Sequence, residues 1–536
     1  MKRWDVISLI VVGAVVLAGG LMALLDGTWQ PLGSWGIYGV SLAFVLVCGF
    51  AIWRRVSGDR RILAAVLSAF LLRLSIGVLL AVLLPIAGYQ DSQVSRAGYV
   101  FKDAYVRDRQ AWDLASSSHP ISLSFGGNQP GDQYGGMLAL SAWVYRYLSP
   151  DAHRPYLILI LTAAISALGL LWASQAAKNW FSEARTDHSI SSPPGERISL
   201  AVAWIMALYP ESILLGSSQM REAFVIAGIA LAFYAFSKIH LPWRSWSVEL
   251  GLAIVILFLF QPPIAFASLV VLIILISLEP RRRLSWKPLL VIVLFALMSF
   301  VLATLAWQNL PSLQQENPLS VFLVWFQRNF SLQTYMLERV SGWSQRLIQQ
   351  LGEGSAARLL VVLVYGAAQP VLPAALVVPG APIWMIIGTL RAAGWYALLP
   401  LLLYGFWVTL QKVPQERRAQ RIWLSIACLT WMLVAAANGG ADQWDNPRYR
   451  TIFLVWMALL AAWAWWWSRS QHDPWLGRLL ITEGIFLLVF IEWYLGRYYP
   501  QTFIRLDIWV MIAITLVAGV IILGWGWMRD RKRKKL

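Results

Sequence analysis

Charge is what this sequence most lacks. Only 13% of its 536 residues are Asp, Glu, Lys or Arg, against about 25% in an average soluble domain, and mean hydropathy stands at +0.60. That excludes an ordinary soluble globule and leaves a polytopic membrane protein. Cysteine is nearly absent as well. Cys48 and Cys428 both fall inside apolar runs, so neither a disulfide framework nor a cysteine-type metal cluster can be read. His119, His153, His188, His240 and His472 are scattered without metal-ligand spacing, and no DxD, HExxH, Walker or GxGxxG signature is present. No cofactor is expected, and nothing supports a divalent metal. With no repeat at a period of about 20–50 residues and no appended soluble stretch, residues 1–536 read as one membrane domain.

The charge that is present is mostly basic, and its placement carries information. A net charge of +17 could point to nucleic acid, but the Lys and Arg residues lie in short clusters beside apolar runs, as the positive-inside rule expects of cytoplasmic joints. No nucleic-acid partner is therefore expected. Arg54-Arg55 with Arg60-Arg61, Arg281-Arg282-Arg283, and the tail 529–536 all read as cytoplasmic. The 31 Trp and 18 Tyr supply interfacial anchors. The apolar runs then count to about 14 crossings at roughly 20 residues each, fewer where short and buried, with both termini inside a plasma (inner) membrane.

Three details of that count matter later. The third span, 62–85, carries Arg73 near its middle, a costly position unless the side chain is paired or faces protein. The fifth, 198–215, ends in Tyr209-Pro210-Glu211 and delivers Arg221-Glu222 to the outer surface. The stretch 359–384 is apolar but broken by Pro370, Pro373, Pro379 and Pro382, and it fits a re-entrant or interfacial segment rather than a span.

Between the third and fourth spans lies the longest polar stretch, an outer loop over 86–155; a second covers 308–358. The first loop holds Asp91, Asp103, Asp108, Asp113 and Asp132, interleaved with Tyr99, Tyr105, Trp112 and Tyr134 and divided by a Gly-rich turn at 126–131. Acids placed beside membrane spans have no role in meeting lipid, so they mark a functional site. Acids mixed with aromatics point to a sugar or other polyol. Residues 134–148 have apolar positions at helical spacing and fit an amphipathic helix lying on the membrane. Asp132-Gln133-Tyr134-Gly135-Gly136 either lines an acceptor site or caps that helix.

These pieces come in an order that resembles a family. Asp108-Arg109-Gln110-Ala111-Trp112 in an outer loop, an amphipathic helix, Arg221-Glu222 after a proline and a late Arg448-Tyr449-Arg450 opening a span look like GT-C glycosyltransferases. More narrowly they are similar to the protein mannosyltransferase and aminoarabinose transferase type, which use polyprenyl-phosphate sugars. Two departures stand out: two further spans separate the first span from the loop, and Arg109 stands where the family has Glu. The resemblance implies an all-α, GT-C-like fold and an inverting transfer on the extracytoplasmic face. The donor would be a polyprenyl-phosphate-linked sugar, the acceptor a lipid, glycan or protein, and the surroundings membrane lipids.

Such a donor already carries a good leaving group. Catalysis then needs one base for the acceptor's proton and cations for the departing phosphate. By resemblance the base is Asp108, with Asp103 next. Arg450 and then Arg448, placed where headgroup meets hydrocarbon, either hold the phosphate or snorkel to headgroups; Arg221, steadied by Glu222, is the further cation. Two other functions remain open, a transporter or flippase of lipid-linked sugars and an O-antigen-type polymerase or ligase. The first would use polar groups on broken helices at mid-membrane, for which Arg73 and the Pro262-Pro263 hinge are the hints.

Overall fold

The computed structural model describes residues 3–27, 33–126, 131–181, 194–279, 331–337, 349, 351, 356–411 and 417–533. Most of the second outer loop, the expected ninth span at 288–307, the turn at 127–130 and the basic joint 281–283 lie outside them. Among the described residues there are helices and no strands. Seven helices are long and apolar enough to cross a membrane, or nine if two bent pairs each count as one span. The chain is a membrane protein, all-helical in its described residues. Its described residues form two compact units, one running through Ser277 and the other taking up the described residues from 331 onward.

In the first unit the order is α1 (Arg3–Leu25), α2 (Ser34–Val56), α3 (Arg60–Ala87), α4 (Gln93–Arg96), α5 (Lys102–Ser116), α6 (Gly136–Leu148), α7 (Pro155–Phe181), α8 (Pro194–Leu208), α9 (Pro210–Gly216), α10 (Arg221–Ser237), α11 (Ser247–Phe260) and α12 (Pro262–Ser277). The expected hairpin at Gln261-Pro262-Pro263 is thus two short helices. The centre is α7, packed against α2, α3, α8 and α10, with 78% of its most apolar window buried, whereas α2 buries 11% of its own. Apolar side chains on α2 face lipid at no cost, so an all-round apolar sequence serves either position. Helix α10 has 17 residues, all buried after Arg221; it spans about 26 Å, short of a ~30 Å hydrocarbon core.

The fifth span is not continuous. Helices α8 and α9 meet at 61° across Tyr209-Pro210. Pro210 has no N–H to return to the carbonyl of Met206, four residues earlier. Arg73 fills that gap: its Nη2 donates to Met206 O at 2.9 Å and to Ser212 Oγ at 2.9 Å, and its Nη1 to Ala207 O at 3.4 Å. Its Nε donates to Ser166 Oγ at 2.8 Å. Gly216 gives it room, since a Cβ there would stand 2.6 Å from Arg73 Cδ. Arg73 is 1% exposed, and among the described residues no acid pairs with it. Its partners are carbonyls and hydroxyls, not the carboxylate of an ion pair.

The second unit repeats the theme. Its helices are Ala356–Ala368, Leu372–Val377, Pro382–Leu410, Arg418–Gly439, Asp445–Thr451, Leu454–Ser470, Trp475–Tyr498 and Ile508–Arg533. The proline-rich stretch is divided as its prolines require. Arg448-Tyr449-Arg450 occupies the short helix Asp445–Thr451, which leads into Leu454–Ser470 across a bend of 73°. Thr451 Oγ1 donates back to Pro447 O at 2.7 Å, a side-chain bond to the i−4 carbonyl that bends helices.

Candidate functional site

The outer loop between α3 and α7 is built by α5 and α6, which pack on each other. Their joint is capped from both sides. Arg146 on α6 donates to the carbonyls of Leu114, Ala115, Ser117 and His119 at 2.5–3.2 Å, serving the last turn of α5, whose carbonyls have no helical partner. At the other end Asp132 is buried, and its Oδ2 accepts from the N–H groups of Met137 and Leu138 at 2.9 and 3.0 Å, so it caps the start of α6. Gly135 there has φ +76°, and a Cβ would fall 2.2 Å from Ser124 O; only glycine fits.

On this frame α5 buries two adjacent charges, Arg107 and Asp108, with different company. Arg107 Nη2 donates to Gln219 O at 2.9 Å and Nη1 to Gly131 O at 3.3 Å, tying α5 to the segments before α6 and α10. Burial lowers its pKa, opposed by the nearby charges of Asp132 and Glu222. Asp108 has its side chain fully enclosed. Tyr99 donates to its Oδ2 at 2.6 Å, Tyr145 of α6 donates to Oδ1, and His153 Nε2 lies 2.8 Å from Oδ2. Burial and then the charge of Asp108 push both phenols well above their ordinary range. Both therefore stay donors. Trp112, one turn along α5 from Asp108, closes the group, its ring 5.3 Å from that of His153 and 5.9 Å from that of Tyr145.

His153 is held in turn by its neighbour. Arg154 is buried and grips Asp151 through two bonds of 2.7 Å, Ser149 Oγ at 2.7 Å and Ser34 Oγ at 3.2 and 3.0 Å. The bonds from Arg154 hold the Asp151 carboxyl below its ordinary range. This clamp fixes the short connection from α6 to α7 just before Pro155 starts the next helix.

The other sequence-predicted residues fall in three places. Asp132, Tyr134 and Arg221 come together: Arg221 Nη1 is 3.4 Å from Asp132 Oδ1, and its guanidinium lies over the Tyr134 ring at 5.0 Å. Glu222, expected at the outer surface, is 1% exposed because α10 is enclosed on all sides. Gln133 is exposed. Asp103 sits in the first turn of α5 and is half-buried. Arg448 and Arg450 belong to the second unit. Arg448 pairs with Asp445 at 3.4 Å. Arg450 Nη2 donates to Gln369 O at 2.8 Å, and its guanidinium lies 3.4 Å from the centroid of Trp395.

Sequence reasoning passed over His153 as one of five scattered histidines. Its only local signal was position, immediately ahead of an Arg-Pro that opens a span. Among the described residues no group of three or more His, Cys, Asp or Glu side chains is arranged to hold a metal ion.

No family model matches the chain, and no curated protein matches it. Among solved structures it is similar to the archaeal oligosaccharyltransferase AglB from Archaeoglobus fulgidus, in complex with an inhibitory peptide and a dolichol-phosphate. Identity is 13% and the TM-score 0.36, over 85% of this chain and 54% of that one. The chain spans about half the length of that protein.

Proposed function

We propose that this protein is an integral-membrane glycosyltransferase. It moves a sugar from a polyprenyl-phosphate donor to a lipid, glycan or protein acceptor on the extracytoplasmic face, with inversion. The observation that carries this reading is the Asp108 centre: a fully enclosed carboxylate, in the loop between two spans, gathered by two phenols and an imidazole. A buried acid joined to a histidine in a site walled by aromatics is an arrangement for moving a proton beside a polyol. A single displacement needs no more than that base and a held leaving group, and it inverts the sugar carbon. In the first unit the cation assigned to the leaving phosphate is Arg221, with Glu222 beside it in the chain; in the second, Arg450 is taken up by the carbonyls of Ala367 and Gln369, which leaves Arg448 as the candidate.

The transporter reading rested on Arg73 and the Pro262-Pro263 hinge. Arg73 is committed to the carbonyls of a broken helix, which weakens that hint. The deciding experiment incubates the purified protein in detergent with radiolabelled polyprenyl-phosphate sugars and acceptor lipid or peptide extracts. Sugar transfer or release is expected. Movement of intact lipid-linked sugar across proteoliposomes, with no release in detergent, would replace this reading with a flippase. Topology is checked in a cysteine-less background: a cysteine at exposed Ser118 should react with an impermeant reagent on intact cells, and one in the tail should not.

A further inference from the structure

The Asp108 centre has an inside and an outside. Both carboxylate oxygens already accept bonds, Oδ1 from Tyr145 and Oδ2 from Tyr99, and the side chain shows no surface to solvent. A carboxylate so enclosed cannot meet an acceptor hydroxyl without breaking its own shell. His153 differs. Its side chain is 30% exposed, and its Nε2 is buried against Asp108. That leaves Nδ1 as the nitrogen outside: it is not among the buried, unbonded atoms, and no partner within the described residues takes it. Nε2 lies 2.8 Å from Asp108 Oδ2 but out of line for a straight hydrogen bond; a carboxylate that close favours the proton on Nε2, which leaves the lone pair of a neutral imidazole on Nδ1.

We propose that His153, and not Asp108, takes the proton of the acceptor, and that Asp108 is the positioning residue which fixes the imidazole's tautomer and supports its positive charge. The inference rests on the glycosyltransferase reading and assigns the base within it. The acceptor O–H gives its proton to Nδ1 of His153 as its oxygen bonds to the sugar's anomeric carbon. The bond from that carbon to the phosphate oxygen breaks, and its electron pair leaves with the polyprenyl phosphate. The imidazolium then lies against the Asp108 carboxylate, and the proton passes to solvent through the exposed edge of the ring. The Arg154 clamp keeps the α6–α7 connection from swinging, while Trp112 and Tyr145 flank the imidazole at ring distances of 5.3 and 5.0 Å. The ring is held on three sides and open on one.

The test compares His153→Gln, His153→Gly and Asp108→Asn in the full-length protein in detergent, with donor binding and thermal unfolding measured alongside transfer. His153→Gln is expected to lower kcat by roughly 10²–10⁴-fold, the range for loss of a general base, with donor KM little changed. Added imidazole should restore part of the rate to His153→Gly, and should restore little to His153→Gly combined with Asp108→Asn. Wild-type kcat in both His153 variants, with Asp108→Asn inactive, would overturn the assignment and return the base to Asp108 while glycosyl transfer stands. A kcat loss in His153→Gly that imidazole does not relieve, or a His153→Gln protein whose loss matches its loss of donor binding, would also overturn it. Absence of any transfer by the wild type would remove the underlying reading instead.

Discussion

Asp108 and Arg450 are both buried charges that short sequence motifs single out, and the difference between them lies in what stands behind their partners. Around Arg450 the partners include the main-chain oxygens of Ala367 and Gln369 and the face of Trp395. Next to them Asn446 Nδ2 donates to Gly366 O at 2.7 Å, Trp395 Nε1 to Ala367 O at 2.9 Å and the Tyr396 hydroxyl to Ala368 O at 3.3 Å. Where the helix Ala356–Ala368 stops short of Pro370, side chains answer the three successive carbonyls of Ala367, Ala368 and Gln369, and Gly366 O accepts from the Gln369 N–H at 3.2 Å as well as from Asn446. Around Asp108 the partners are two phenols and an imidazole, and the imidazole reaches solvent. The first arrangement finishes a helix; in the second the contacts continue to a ring that is 30% exposed. A buried charge therefore reads as structural or chemical according to whether its contacts end in the backbone or continue to the surface.

Substitutions can break this contrast, and the largest effect is expected at Asp108. Asp108→Asn keeps the shape but not the charge. It should cut transfer by roughly 10²–10⁴-fold with little change in detergent thermal stability; a protein that unfolds easily yet transfers normally would place Asp108 with the structural charges. Arg450→Ala should do the opposite. Leaving buried carbonyls unmade costs about 1–3 kcal/mol each, so the variant is expected to lose several degrees of unfolding temperature, measured by tryptophan fluorescence in detergent. Normal stability with lost transfer would move Arg450 into the chemistry.

Smaller effects sharpen the picture. Arg146→Gln removes the shared cap of α5, and a loss of about 1–2 kcal/mol is expected, with increased proteolysis between residues 114 and 120 as the readout. The smallest effect concerns pH. Tyr99 and Tyr145 have pKa values raised in the folded protein, so below about pH 10, the unfolded value, both states keep these protons and no pH dependence arises. Above it the unfolded chain releases protons that the fold retains, and stability falls as pH rises. Replacing both by Phe should flatten that alkaline loss in a pH series of melting curves.

Much of the scaffold was legible because lipid demands long apolar runs. The expected spans at 62–85 and 156–177 appear as α3 and α7, and the amphipathic pattern at 134–148 as α6. The loop acids stood out because acids in so apolar a chain need a reason, and the family resemblance singled out Asp108 among them. Its partners did not. Tyr145 meets Asp108 across 37 residues, and no spacing in the sequence links a histidine before α7 to a carboxylate on α5. The same holds for Arg73, whose position was visibly costly but whose partners around residue 206 belong to a later span. The bend beyond Arg448-Tyr449-Arg450 was not legible, for a simpler reason. The hydropathy change lies where it was read, yet the helix bends after Thr451.

Arg73 also imposes an order on biosynthesis. Helix α3 carries one partner of Arg73 itself, the Ala69 carbonyl at 3.1 Å, but the Met206 carbonyl lies 133 residues further along the chain and follows later. During that interval an Arg within a span costs about 2.5–3.5 kcal/mol on insertion scales, carried by an apolar sequence long enough to enter regardless. When α8 arrives with its proline break, a cation already waits in the membrane for the carbonyls that Pro210 leaves bare. The bend at Pro210 is thus completed by an earlier part of the nascent chain, and neither helix reaches its final polar balance alone.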